Sequence, residues 1–116
     1  MQYLLLIYED EKRFASGYPQ DELNEYFAFG KRHAEAIKGG NALQPTHSAK
    51  TVRVRNGQTL ATDGPFAETK EQLGGFYLVE ANSAEEAASL AAEIPAARFG
   101  SVEVRPIQKF SKPGEI

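Results

Sequence analysis

The chain has 116 residues, 41% of them hydrophobic and 25% charged, with a formal net charge of -3 and no cysteine. That size suits a single domain with one core, and the missing cysteines remove disulfides, thiolate metal sites and thiol nucleophiles together. Lys and Arg are spread singly, so there is no basic stripe of the kind that neutralises a phosphate backbone, and nucleic-acid binding is not expected.

Tyr3-Leu4-Leu5-Leu6-Ile7-Tyr8 is continuously apolar, which predicts a central strand covered on both faces and ended by Glu9-Asp10-Glu11. It is about a third of a membrane-spanning length. The start Met1-Gln2 carries no basic region, so a cytoplasmic protein without a membrane segment is expected. Asp21 is placed to cap a helix running to about Lys38, with Leu23, Phe27, Gly30, Ala34 and Ile37 as its apolar stripe and Gly39-Gly40 as its stop. Ala42 to His47 reads as a short strand interrupted by Pro45, confined to an edge or bulge.

Thr51-Val52-Arg53-Val54-Arg55 alternates, and Asn56-Gly57 supplies a type I′ hairpin turn that returns through Gln58 to Thr62. Leu73 to Ala81 forms a second continuously apolar strand entered through Gly74-Gly75. Ser83-Ala84-Glu85-Glu86 is a capping box for a helix with the stripe Ala87, Leu90, Ala91 and Ile94, ended by Pro95. Ser101 to Ile107 is the last strand, and Lys112-Pro113-Gly114 lies in a flexible tail, residues 111–116, after a domain of residues 1–110.

The order β-α-β-β(hairpin)-α-β is the split βαβ arrangement, an α+β ferredoxin-like fold with an antiparallel sheet and two helices on one face. Two helices cover only one face, yet two strands are apolar on both. A homodimer packed sheet to sheet is therefore expected.

The segment Thr62-Asp63-Gly64-Pro65-Phe66-Ala67-Glu68-Thr69-Lys70-Glu71 stands out. Asp63, Glu68, Lys70 and Glu71 crowd beside Phe66, offering a carboxylate base, a cation for an anionic substrate and an apolar wall. The same residues also make a turn with no substrate in view, since Asp accepts from backbone N–H groups two residues on. Arg53 and Arg55 share a hairpin face and can bind a carboxylate or simply protect a strand edge. His33 and His47, the two histidines, form no compact ligand motif, so no metal is expected.

Thr62 to Tyr77, with Leu43-Gln44-Pro45, Thr51 to Arg55 and Ile94 to Ile107, resembles the signature of the DGPF proteins within the YCII-related family. The resemblance spans nearly the whole chain and implies a dimeric α/β-barrel of ferredoxin-like subunits. One branch of that family includes an enzyme that removes chloride from a chlorinated lactone or muconate-type acid, with a His-Asp pair as the proposed machinery. Other relatives occur beside extracytoplasmic-function sigma factors.

Carried over residue by residue, the branch's carboxylate falls on Asp10 and its histidine on His33. His33 is at the margin of the helix stripe, where a ring with a pKa near neutrality can exchange a proton if Asp10 sets its tautomer. A boundary histidine bonded to solvent is the alternative.

Three roles are thus open. The first is a cofactor-free acid/base enzyme, isomerase or lyase, on a small anionic molecule, with Asp63, His33 and Asp10 catalytic and Arg53, Phe66, Glu68, Lys70 and Glu71 binding. The second is a non-catalytic small-molecule-binding or regulatory module, linked to a sigma factor. The third is a structural role for the signature loop in holding the dimer.

Overall fold

The computed structural model describes residues 1–110; the tail expected at 111–116 lies outside them. Strands β1 (Gln2–Glu9), β2 (Ile37–Ala42), β5 (Gln72–Glu80) and β6 (Ser101–Pro106) form one antiparallel sheet in the order β2-β5-β1-β6. Strands β3 (Lys50–Arg55) and β4 (Gln58–Asp63) form a separate hairpin. Helices α1 (Gln20–Arg32) and α2 (Ala84–Ala92) contribute Phe29 and Ala87, Leu90 and Ala91 to the core. This is the ferredoxin-like α+β order expected from the sequence.

The core forms on one face of the sheet because side chains alternate along a strand. Tyr3, Leu5 and Ile7 of β1 point inward with Val79 of β5, against Phe29, Ala87, Leu90, Ala91 and Ile94. The expectation of a strand covered on both faces is corrected within one protomer. Leu4, Leu6 and Tyr8 are only half-buried, as are their cross-strand neighbours Phe76 and Leu78.

Helix α1 departs most from expectation. It starts at Gln20, with Pro19 at the cap position and no side-chain cap, and it ends at Arg32 rather than near Lys38. Its inward residues are Glu22, Tyr26, Phe29 and His33, spaced at helical intervals, while Phe27 is 67% exposed. The apolar stripe read through Phe27 was one residue out of phase, because a buried glutamate does not register as core in a hydrophobicity pattern.

Gly39-Gly40 belongs to β2 rather than to a helix stop, and the strand expected at Ala42 to His47 is displaced to Ile37–Ala42. The reason is close backbone approach. A Cβ on Gly40 would sit 2.6 Å from the Phe76 carbonyl oxygen of β5. Pro45 then precedes a 3-10 turn, Thr46–Ser48.

The hairpin turns at Asn56 and Gly57, both with positive φ (52° and 78°), as a type I′ turn requires. At the start of α2, the Ser83 hydroxyl accepts from the Glu86 amide, while the Glu86 carboxylate reaches the amide of Asn82, one residue before the position a capping box uses. The radius of gyration is 16.3 Å, against about 13 Å for a compact chain of this length, because the β3-β4 hairpin projects from the body.

Candidate functional site

The inward alternation of β1 does not stop at Ile7. It continues to Glu9, which is 6% exposed, so the last core position of the strand carries a carboxylate. Asp10 then caps a 3-10 turn, Glu11–Phe14, by accepting from the Lys12 amide at 3.0 Å. That turn swings Arg13 back over the strand end. One guanidinium nitrogen donates to Glu9 Oε2, and the other donates to Oε1 of Glu22 at 2.9 Å.

Glu22, in the first turn of α1, is 7% exposed, and its second oxygen, Oε2, is buried without a hydrogen-bond partner. The Arg13 guanidinium also stacks 3.8 Å from the ring centroid of Phe99. Gly100 presses its backbone onto Glu9: a Cβ there would lie 2.1 Å from the Tyr8 carbonyl oxygen and 3.1 Å from Glu9 Cγ.

Burial pushes the Glu9 carboxyl above its ordinary range, against the opposing charge of Arg13, and the charges of Glu22 and Glu71 push it further. Tyr26, one turn along α1 from Glu22, is also held protonated, first by burial and then by Glu9, Tyr77 and Glu22. Two buried carboxylates bridged by one guanidinium, beside the half-buried Tyr26 phenol, can hold and exchange a proton at the strand end.

The end of the signature segment reaches the same place. Glu71 accepts from the Ser101 hydroxyl at 3.0 Å, at the start of β6. The Gln72 side-chain oxygen accepts from the Glu11 amide at 3.0 Å, and Glu11 in turn accepts from the amide and hydroxyl of Thr46. Asp10 and Glu71 are therefore brought together with Glu9, Arg13 and Glu22.

The other expected residues lie elsewhere. His33 is at the far end of α1, eleven residues from Glu22, or about 16 Å along the axis. Its Nε2 meets Glu93 Oε1 at 2.9 Å, where Arg32 also donates. Asp10 and His33 thus have different partners at opposite ends of one helix.

Asp63 forms an exposed cross-strand pair with Lys50 Nζ at 2.6 Å. Thr51 Oγ1 donates to the Gly64 carbonyl, and Gly64 donates to Ala49 O, so the start of the signature is held by turn chemistry. Phe66 is 80% exposed, and Glu68, Lys70 and Arg53 are exposed as well. No group of three or more acidic, histidine or cysteine side chains suited to a metal occurs among the described residues.

Sequence reasoning missed Glu9, Arg13, Glu22 and Tyr26. By pattern alone Glu9 reads only as charge ending a strand. The signal was its parity, Tyr3, Leu5, Ile7, Glu9, together with the helical spacing Glu22, Tyr26, Phe29.

Fold and site together define a ferredoxin-like α+β domain that concentrates ionisable groups at one end of its sheet. The YCII-related domain model matches residues 1–111, and the chain belongs to that family. It is 41% identical to an uncharacterised protein of Rhizobium meliloti (strain 1021), over 100% of this chain and 98% of that one. It is similar in fold to the 5-chloro-2-hydroxyhydroquinone dehydrochlorinase TftG of Burkholderia phenoliruptrix AC1100, solved in complex with 2,5-dihydroxybenzoquinone. The TM-score is 0.55 at 17% identity, covering 93% of this chain and 94% of that one, a likeness of fold alone. No helix among the described residues is long and apolar enough to cross a membrane.

Proposed function

We propose that this YCII-related protein is a small-molecule enzyme that works by proton transfer without a cofactor, as an isomerase or lyase. The observation that carries the reading is the buried Glu9 carboxyl, held above its ordinary value beside Arg13 and Glu22 at the point where the signature segment meets β1. The fold shared with a dehydrochlorinase is an analogy in favour of small-molecule enzyme activity and selects neither reaction nor substrate.

The sequence alone favours an anionic substrate. The acidic surroundings of Glu9, Glu22 and Glu71 narrow this to a molecule that approaches in a neutral, protonated form. Asp10 and Glu71 are the expected residues best placed to take part. His33 and Asp63 enter the proposal as second candidates, with Arg53, Phe66, Glu68 and Lys70 as contacts on the hairpin side.

The test is turnover by the chelator-treated protein on a series of chlorinated hydroxyquinols, lactones and neutral enols, with muconate-type and enol acids as the anionic comparison. At least one should be converted, and silence across the whole series overturns the reading. The protein is proposed to act as a homodimer, since Leu4, Leu6, Tyr8, Phe76 and Leu78 leave an apolar sheet face half open.

A second reading, a regulatory module associated with a sigma factor, is favoured by the projecting hairpin. It exposes Val52, Val54 and Leu60, and an isolated two-stranded hairpin is marginal in water. Recovery of a sigma factor from cell extract, lost when Val52 and Val54 become Lys, would support it; recovery of none argues against it.

A further inference from the structure

Glu22 has an unusual deficit. Its Oε1 accepts from Arg13 at 2.9 Å, but Oε2 is shut away from solvent with nothing donating to it. An ionised carboxylate oxygen in that state costs more than an ordinary lost hydrogen bond, so a donor is called for. The neighbouring side chains do not provide one. Arg13 is committed to Glu9, to Glu22 Oε1 and to the face of Phe99, Glu9 is taken up by Arg13, Glu71 by the Ser101 hydroxyl, and the Tyr26 hydroxyl by the Ala96 backbone.

The unpartnered oxygen is not deep in the protein, since its partner residue Arg13 is 27% exposed at its side chain and Phe99, beneath Arg13, is 47% exposed. Around it are Arg13, the carboxylates Glu9, Glu22 and Glu71, and Arg98, 5.3 Å from the Phe99 centroid and already paired with Glu25 at 2.7 Å. That balance repels an anion and accepts a hydroxyl donor.

We infer that Glu22 Oε2 is the acceptor of a ligand site for a neutral, hydroxyl-bearing small molecule of the phenol or enol class, with Arg13 and Phe99 as its outer wall. The half-exposed Phe99 ring, with Arg13 left in place over it, offers an apolar edge to the ring of such a ligand, and Glu22 takes the hydroxyl hydrogen bond. The site rests on the reading of the chain as a small-molecule enzyme and gives that enzyme its substrate class. It also explains a glutamate on the core face of α1, where an apolar residue would otherwise pack.

The test uses the full-length protein labelled with carbon-13 at the glutamate carboxyls. Catechol is the probe, neutral well below the phenol pKa of about 10. Benzoate, an anion without a hydroxyl donor, is the control. Catechol should shift the Glu22 carboxyl resonance saturably while benzoate leaves it in place, and Glu22→Gln should weaken catechol binding by at least about tenfold.

An unmoved Glu22 resonance, or an equal response to benzoate, overturns the inference. The resonance is read on the wild-type protein, so a poorly folded variant does not remove the test. Catechol binding at Glu22 without turnover of any substrate defeats the proposed enzyme and leaves the site standing. Turnover that survives unchanged in folded Glu22→Gln, with a still resonance, does the reverse.

Discussion

Arg13 Nη2 lies 2.9 Å from Glu22 Oε1, and this contact ties the turn after β1 to the first turn of α1. The same guanidinium holds Glu9, so one side chain links three successive pieces of chain through two carboxylates that are each more than nine-tenths buried. Breaking a buried pair by removing one partner costs about 3 to 5 kcal/mol, because the other charge is left unpaired. Arg13→Ala, which strands two carboxylates and leaves an arginine-sized gap over Phe99, is expected to lower stability by about that amount in urea denaturation at neutral pH.

The phase of α1 has a direct mutational signature. Phe29 is fully buried and packs 5.2 Å, centroid to centroid, from Tyr77, whereas Phe27 is 67% exposed. Phe29→Ala should cost about 3 to 5 kcal/mol. Phe27→Ala should stay within about 0.5 kcal/mol. Equal losses from the two would restore the stripe read from hydrophobicity.

Gly100 admits no side chain without movement, since its Cβ would meet the Tyr8 carbonyl oxygen at 2.1 Å. Gly100→Ala should therefore lower the urea midpoint by the equivalent of about 1 to 3 kcal/mol or more, as overpacking does. It should also perturb Glu9, whose Cα and Cγ are both 3.1 Å from the same point. A midpoint equal to wild type would contradict the close approach of β1 and the start of β6.

Burial raises the Glu9 carboxyl above its ordinary value of 4.5, with Arg13 opposing and Glu22 and Glu71 adding. At a pH just above 4.5 the folded chain holds a proton that the unfolded chain has released. The stabilisation linked to this group is complete below the unfolded pKa and disappears as pH rises through the folded one. Stability of wild type minus that of Glu9→Gln should accordingly fall as pH increases from about 4.5, by isothermal denaturation across a pH series. A difference that rises over that window would show Arg13 to outweigh burial. Glu93, lowered by its hydrogen bonds to His33 and then Arg32, has the opposite sign, but it is exposed and screened.

The open sheet face yields a test of assembly. Leu6 and Phe76 are cross-strand neighbours on that face, both half-buried in one protomer. Leu6→Lys, read by light scattering after size exclusion, should convert a dimer to a monomer with little loss of helical signal. A monomeric wild type at tens of micromolar removes the proposed pairing.

Much of the architecture was legible from residue pattern because it rests on local chemistry. The Asn56-Gly57 turn, the Ser83 cap and the stripe Ala87, Leu90 and Ala91 are written in adjacent or periodic residues and formed as expected, while Ile94 joins the core from beyond the helix, which ends at Ala92 rather than at Pro95. The signature segment from Thr62 to Glu71 was equally plain in the sequence and identified the family. Gly39-Gly40 was ambiguous by the same local rules, since a helix stop and a tight strand pairing use the same residue. Only the presence of the Phe76 backbone opposite Gly40 decided between them.

The candidate site was the least legible part. Glu9 and Glu22 are thirteen positions apart and look like ordinary surface acids. Their burial follows from strand parity, helix phase and an arginine between them in sequence that folds back onto both. Sequence determined the family, the ferredoxin-like order and the turns, because those depend on neighbours along the chain. Tertiary structure alone decided which charges lose water and meet, because desolvation and pairing depend on neighbours in space.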